Sequence, residues 1–154
     1  MNNYISKFIN IIIYVIIIIL FNIGAFTNYL YSKDGMNMGI TQTCVMDLLC
    51  TSNLDTSKQN PITNICIAAL VFAILCIVAL FVILYGCLYS NKSLIFKGSM
   101  FALFCMFLVL VLCLSMPSMT SNTFSTSDIS KSLVVLILSF CLMFVRCGFL
   151  IMGV

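Results

Sequence analysis

Residues 62–89 read ITNICIAALVFAILCIVALFVILYGCLY, 28 positions without one charged side chain. At 1.5 Å rise per residue such a helix is about 42 Å long, more than the ~30 Å of a bilayer's hydrocarbon core, and tilting takes up the excess. A helix that is apolar on every side is a helix for burial or for lipid. Working outward, residues 8–27, 98–116 and 132–154 share this character, each with about the 20 residues needed to cross. The expected fold is therefore all-α. It is an integral-membrane four-helix bundle in a single domain over 1–154, with a longer first outer loop, 28–61, and a shorter second one, 117–131.

Composition agrees. The chain is 63% hydrophobic and 7% charged, far from the soluble range. Histidine, tryptophan and glutamate are absent, which removes the commonest metal ligand and proton shuttle and one of the two usual carboxylate bases. The acids are Asp34, Asp47, Asp55 and Asp128, all between the apolar stretches. An ion-coupled carrier places an ionisable group near the midplane, so that class is disfavoured. The seven Lys and Arg are scattered singly, without the basic run of a nucleic-acid binder. No catalytic, metal or cofactor site is expected. A cysteine-nucleophile enzyme lacks its base, and no paired CxxC or Cys2His2 spacing marks a zinc site.

The first stretch, FINIIIYVIIIILFNIGAFT, holds fourteen Ile, Leu, Val or Phe. They favour insertion by about 4 to 8 kcal/mol. β-Branched runs are poor helices in water, but backbone groups in lipid have no other way to be satisfied. The rival reading is a signal peptide cut after Ala25, against which the apolar stretch is too long. Asn60-Pro61 is an N-cap followed by Pro at the first helical position. Small residues at Cys66, Ala69, Ala73, Cys76 and Ala79 draw one stripe on the second helix, and Gly98, Ala102 and Cys105 draw another on the third. Such stripes let helices approach closely in lipid, toward each other, a second copy or other membrane proteins. SNKSLIFK (90–97) is a short connection, and Pro117 is expected to end the third helix. Ser127 or Asp128 is placed to cap the fourth.

Four crossings put both chain ends and the 90–97 connection on one side. That side holds Lys7, Lys92, Lys97 and Arg146; the other holds Lys33, Lys58 and Lys131 with all four Asp. The excess of Lys and Arg predicts cytoplasmic termini, leaving the Asn91-Lys92-Ser93 sequon unused. Lys97, Lys131 and Arg146 are read as interfacial anchors that snorkel to the headgroups. A functional buried Arg146 is the alternative.

Of nine cysteines, Cys66, Cys76, Cys105, Cys113 and Cys141 are read as small packing residues. Cys87 and Cys147 sit near the cytoplasmic face, as packing residues or S-palmitoylation sites. Cys44 and Cys50 share the long outer loop. They form either a disulfide or two free thiols, and a bond implies a turn or hairpin because six residues along a helix point different ways. Closing so short a ring stabilises by about 2 kcal/mol in the chain-entropy picture. If oxidised, the loop belongs to the plasma membrane or secretory pathway.

Gly39-Ile40-Thr41-Gln42-Thr43-Cys44 resembles the Gly-Leu-Trp-x-x-Cys motif of the claudin and peripheral-myelin-protein superfamily, with its fungal eisosomal relatives. Gly39, Ile40 and Cys44 match, Thr41 stands in the tryptophan position, and Cys50 is the candidate second cysteine. The resemblance implies a four-pass protein with cytoplasmic termini and a membrane-organising, adhesion or barrier role. The loop is shorter than that family's sheet-forming loop, so no sheet is expected. A small accessory subunit of a larger membrane channel, transporter or energy-transducing complex is the alternative function.

Overall fold

The computed structural model describes residues 2–27, 30–45, 49–54, 61–119 and 130–152. Four helices carry the chain: α1 (Asn2–Phe26), α2 (Pro61–Leu88), α3 (Lys92–Met119) and α4 (Lys131–Ile151). All four are long and apolar enough to cross a membrane. α2 packs most heavily on α3 and α1 on α4, while α1–α2 and α3–α4 contacts close the arrangement.

The fold is not all-α. Residues after α1 form a four-stranded antiparallel sheet, β1 (Tyr31–Lys33), β2 (Met36–Met38), β3 (Gln42–Val45) and β4 (Leu49–Ser52), in the order β1-β2-β3-β4. The loop is long enough for a sheet because its strands are only three or four residues each. Asp34 and Gly35 turn β1 into β2 with φ of 47° and 79°. That is the backbone of a two-residue hairpin whose twist matches its strands. Cys44 lies directly across from Cys50 in the β3–β4 hairpin, and a disulfide joins them. Asn53 fastens this unit: its amide donates to the Gly39 carbonyl at 2.8 Å, and its Oδ1 accepts from the Thr43 hydroxyl at 2.9 Å.

The sheet sits on one end of the helices. Leu30, Tyr31, Met38 and Ile40 are buried in the same core as the helices. The Ser130 amide donates to the Leu30 carbonyl at 3.1 Å, tying the start of α4 to the entry of the sheet.

A stripe of small side chains runs between α2 and α3, beside larger buried ones such as Leu80, Ile83 and Met106. Cys66, Ala69, Ala73, Cys76 and Ala79 of α2 are buried against α3, as are Ala102 and Cys105 from the other side. The stripes read from the sequence are thus the α2–α3 seam. α1 contributes Tyr14, Ile17, Phe21 and Ala25 to the core. Outward-facing positions carry large apolar groups: Phe8, Val78, Phe81, Phe104 and Phe144 are all more than half exposed. Cys141 is also exposed and does not pack inside, contrary to expectation.

Three boundaries differ from the sequence reading, the first being α1, which begins at Asn2 and not near Phe8. α3 begins at Lys92, so the connection from α2 is only residues 89–91. Ser90 adopts φ 57°, its amide donates to the Cys87 carbonyl and the Asn91 amide to the Gly86 carbonyl. This is a Schellman ending, and the Asn91 side chain at once caps α3 by accepting from the Leu94 amide at 3.1 Å. At its other end α3 continues past Pro117 to Met119. Ser130 caps α4, its side chain accepting from the Ser132 amide. Asn60, Ser127 and Asp128, read as caps, lie outside the described residues, as do Asp47, Asp55 and Lys58.

Gly24 of α1 lies close against the backbone of α4 at Leu136. A Cβ there would stand 2.7 Å from the Leu136 amide nitrogen, a backbone atom that has no rotamer to yield. Gly24→Ala is therefore expected to destabilise the protein by about 1–3 kcal/mol, as overpacked cores do. The left-handed Ser90 predicts the opposite sign at the α2–α3 turn. Ser90→Gly removes a steric cost and stabilises by about 0.5–1 kcal/mol. Thermal unfolding in detergent, followed by the reactivity of the buried thiols, measures both.

Candidate functional site

Two polar assemblies lie at opposite ends of the helices. At the sheet end, Pro117 has no amide hydrogen and so leaves the carbonyl of Cys113, four residues back, without its helical donor. The Tyr31 hydroxyl of β1 donates to that carbonyl at 3.0 Å. This explains why α3 passes through a proline that was expected to end it: a group from the sheet satisfies the orphaned carbonyl. Burial pushes the Tyr31 phenol up to about 12. Beside it the Cys44–Cys50 bridge closes the outer hairpin, with Cys44 buried and the β4 strand exposed along its length. Of the motif residues, Gly39 and Ile40 are buried at the β2–β3 turn, where the Gly39 amide donates to the Gln42 carbonyl at 3.0 Å.

At the other end the starts of α1 and α3 meet the last turns of α2 and α4. Arg146 of α4 was read as an anchor reaching outward to headgroups. Its guanidinium lies against α1, where Nη2 donates to Asn10 Oδ1 at 2.6 Å. Its guanidinium carbon lies 5.8 Å from the Tyr14 ring centroid, within cation–π range. Its Nε is buried without a partner. The Tyr14 hydroxyl shares a 3.1 Å hydrogen bond with Ser99 Oγ of α3, and the Cys147 thiol approaches the Ser99 carbonyl at 3.6 Å. Lys7 of α1 donates to the Leu88 carbonyl at the end of α2. A chain of contacts therefore joins all four helices at this end, and among the described residues no carboxylate takes part. Lys97 and Lys131 are exposed, at opposite ends of the helices.

Cys87 and Cys147 are 4% and 3% exposed. Neither presents a thiol for S-acylation in this structure; both fill the space between helices. Cys66, Cys76, Cys105 and Cys113 are likewise buried, as expected. Among the described residues no group of His, Cys, Asp or Glu is placed to hold a metal.

The sequence reading missed Asn10 and Tyr14 as partners of Arg146, and Ser99 as the partner of Tyr14. The signal was present, since Asn10, Tyr14 and Lys7 fall at spacings of three and four on one face of α1.

Comparison of the chain with protein-family models, curated proteins and solved structures finds no match in any of the three.

Tyr31 is the residue to perturb. Its raised ionisation point means that the neutral, hydrogen-bonding form is favoured on folding. That contribution is complete below the ordinary phenol value of 10 and is lost as pH rises from 10 toward 12. Tyr31→Phe leaves the Cys113 carbonyl unpaired and is expected to cost about 1–3 kcal/mol at neutral pH. It also flattens the loss of stability between pH 10 and 12, as read from thermal melts across that range.

Proposed function

We propose that the four helices are inserted in a membrane and that the protein is a non-enzymatic, four-pass membrane organiser of claudin-like type. Its disulfide-closed sheet lies on the outer face, where it meets like molecules or partners. The observation that carries this reading is the sheet itself. A four-stranded unit between the first two spans, closed by Cys44–Cys50 and seated on the helix ends, offers an ordered surface for such contacts, although the sequence reading expected no sheet in so short a loop.

Insertion is supported by the distribution of side-chain size, with Ala, Cys and Ser between the helices and Phe, Ile, Leu and Val facing out. In water such a surface drives aggregation; in lipid it is the solvated face. Orientation is supported by two independent signals. The disulfide favours an oxidising compartment for the sheet end, and Lys7, Lys92, Lys97 and Arg146 at the other end favour the cytoplasm. Plasma membrane or secretory pathway is the compartment consistent with both, with both termini cytoplasmic.

Labelling of intact cells with a membrane-impermeant maleimide tests the reading. The expected result is no labelling before reduction and labelling of Cys44 and Cys50 afterwards. Labelling of the pair only after permeabilisation, or a glycan on Asn91, reverses the topology and removes the outer-face role. Native sizing in mild detergent tests the role itself. Self-association supports the organiser, whereas stoichiometric migration with a much larger complex makes the chain an accessory subunit.

A further inference from the structure

The geometry points to a binding site for the phosphate of an acidic phospholipid headgroup where α1, the end of α2 and α4 meet, held by Arg146 and Lys7. It rests on the insertion proposed above and adds a ligand to it. Arg146 lies five residues before the last residue of α4, about 7–8 Å from the helix end. Under the insertion proposed above, an arginine side chain is long enough to reach the headgroup layer from that depth. Its charge is permanent, yet its contacts, the Asn10 amide oxygen and the Tyr14 ring, carry no formal negative charge. A guanidinium has five N–H donors, and one of these partners takes a single Nη2 proton while Nε has none.

Lys7 brings the second charge. It lies one turn before Asn10 on α1, and its ammonium donates to the Leu88 carbonyl at the end of α2. The contacts to Asn10 and to the Leu88 carbonyl thus hold the two cationic heads at the same end of the helices. Arg is the side chain whose planar fork suits phosphate oxygens. Lys92 and Lys97, exposed at the same end, extend the positive charge into a layer. A layer fits a lipid surface, where a lone carboxylate on a partner helix would need only one cation.

The test uses the purified full chain in detergent, with thermal unfolding followed by a fluorogenic maleimide that reacts as buried thiols become exposed. Dioleoyl phosphatidic acid, dioleoyl phosphatidylcholine and inorganic phosphate are titrated separately. Phosphatidic acid is expected to raise Tm saturably, with phosphatidylcholine and inorganic phosphate leaving it unchanged. Arg146→Gln is expected to weaken the apparent affinity for phosphatidic acid roughly tenfold to a hundredfold. Lys7→Gln weakens it by a smaller factor, and Lys131→Gln at the far end leaves it unaltered. Should Arg146→Gln not fold, Arg146→Lys takes its place and is expected to bind more weakly than the natural protein.

Equal affinity in the Arg146 and Lys7 variants, or no shift at all, overturns the site. A shift of the same size with inorganic phosphate assigns it to a free anion and overturns the lipid. A membrane protein that comigrates only while Arg146 is present, with no phosphatidic acid shift, assigns the charge to a partner carboxylate. Carbonate extraction of the same membranes separates this failure from that of the insertion reading. A chain that stays in the pellet but ignores phosphatidic acid loses only the site.

Discussion

The hydrogen bond from Tyr31 to the Cys113 carbonyl ties the sheet to the helices at the point where Pro117 leaves α3 without a backbone donor. A proline in α3 opens a gap in the helical ladder, and apolar surroundings make that gap expensive to leave unfilled. The donor comes from β1, so the repair of the helix is also the attachment of the sheet. Ser130 and Leu30 make a second tie through backbone atoms. The sheet's own hairpins, the Asn53 contacts and the disulfide then hold their shape on a platform that α1, α3 and α4 supply.

Between the helices, close approach replaces bulk. Leu or Phe on the α2–α3 seam would hold the backbones apart, whereas Ala and Cys admit contact along several turns. The turn that joins these two helices is correspondingly short, ending one helix and capping the next within three residues. Large side chains, displaced from the seam, cover the outside. The opposite end is held by polar contacts among Asn10, Tyr14, Ser99 and Arg146, so that each end of the helices has its own fastening.

The four helices were legible because charge-free runs of this length have one physical reading. The facing sides of α2 and α3 were legible too, since their small residues recur every three or four positions. The sheet was hidden by length: strands of three or four residues give too few alternations to register as a period. Lys33-Asp34-Gly35-Met36 nevertheless carries the two-residue hairpin signal, which was passed over because the loop was judged as a whole. The extension of α3 back to Lys92 was missed because lysines at both ends of 92–97 made it look like a connector. Pro117 was misjudged for a different reason. Whether a proline ends a helix depends on what reaches the freed carbonyl, and that donor lies 82 residues away in sequence. Arg146 shows the same limit, its partner Asn10 being 136 residues distant.

Gly24 also restricts how the pair α1–α4 can move. It is the one residue of α1 without a Cβ, and the Leu136 backbone occupies the space that frees. Axial translation of either helix by a turn would drive a side chain into that backbone. The contact works as an index pin that sets the axial register of the two rods. Because Gly24 lies two residues from the end of α1, that register is set at the sheet end, and the Arg146–Asn10 contact sets it again at the other.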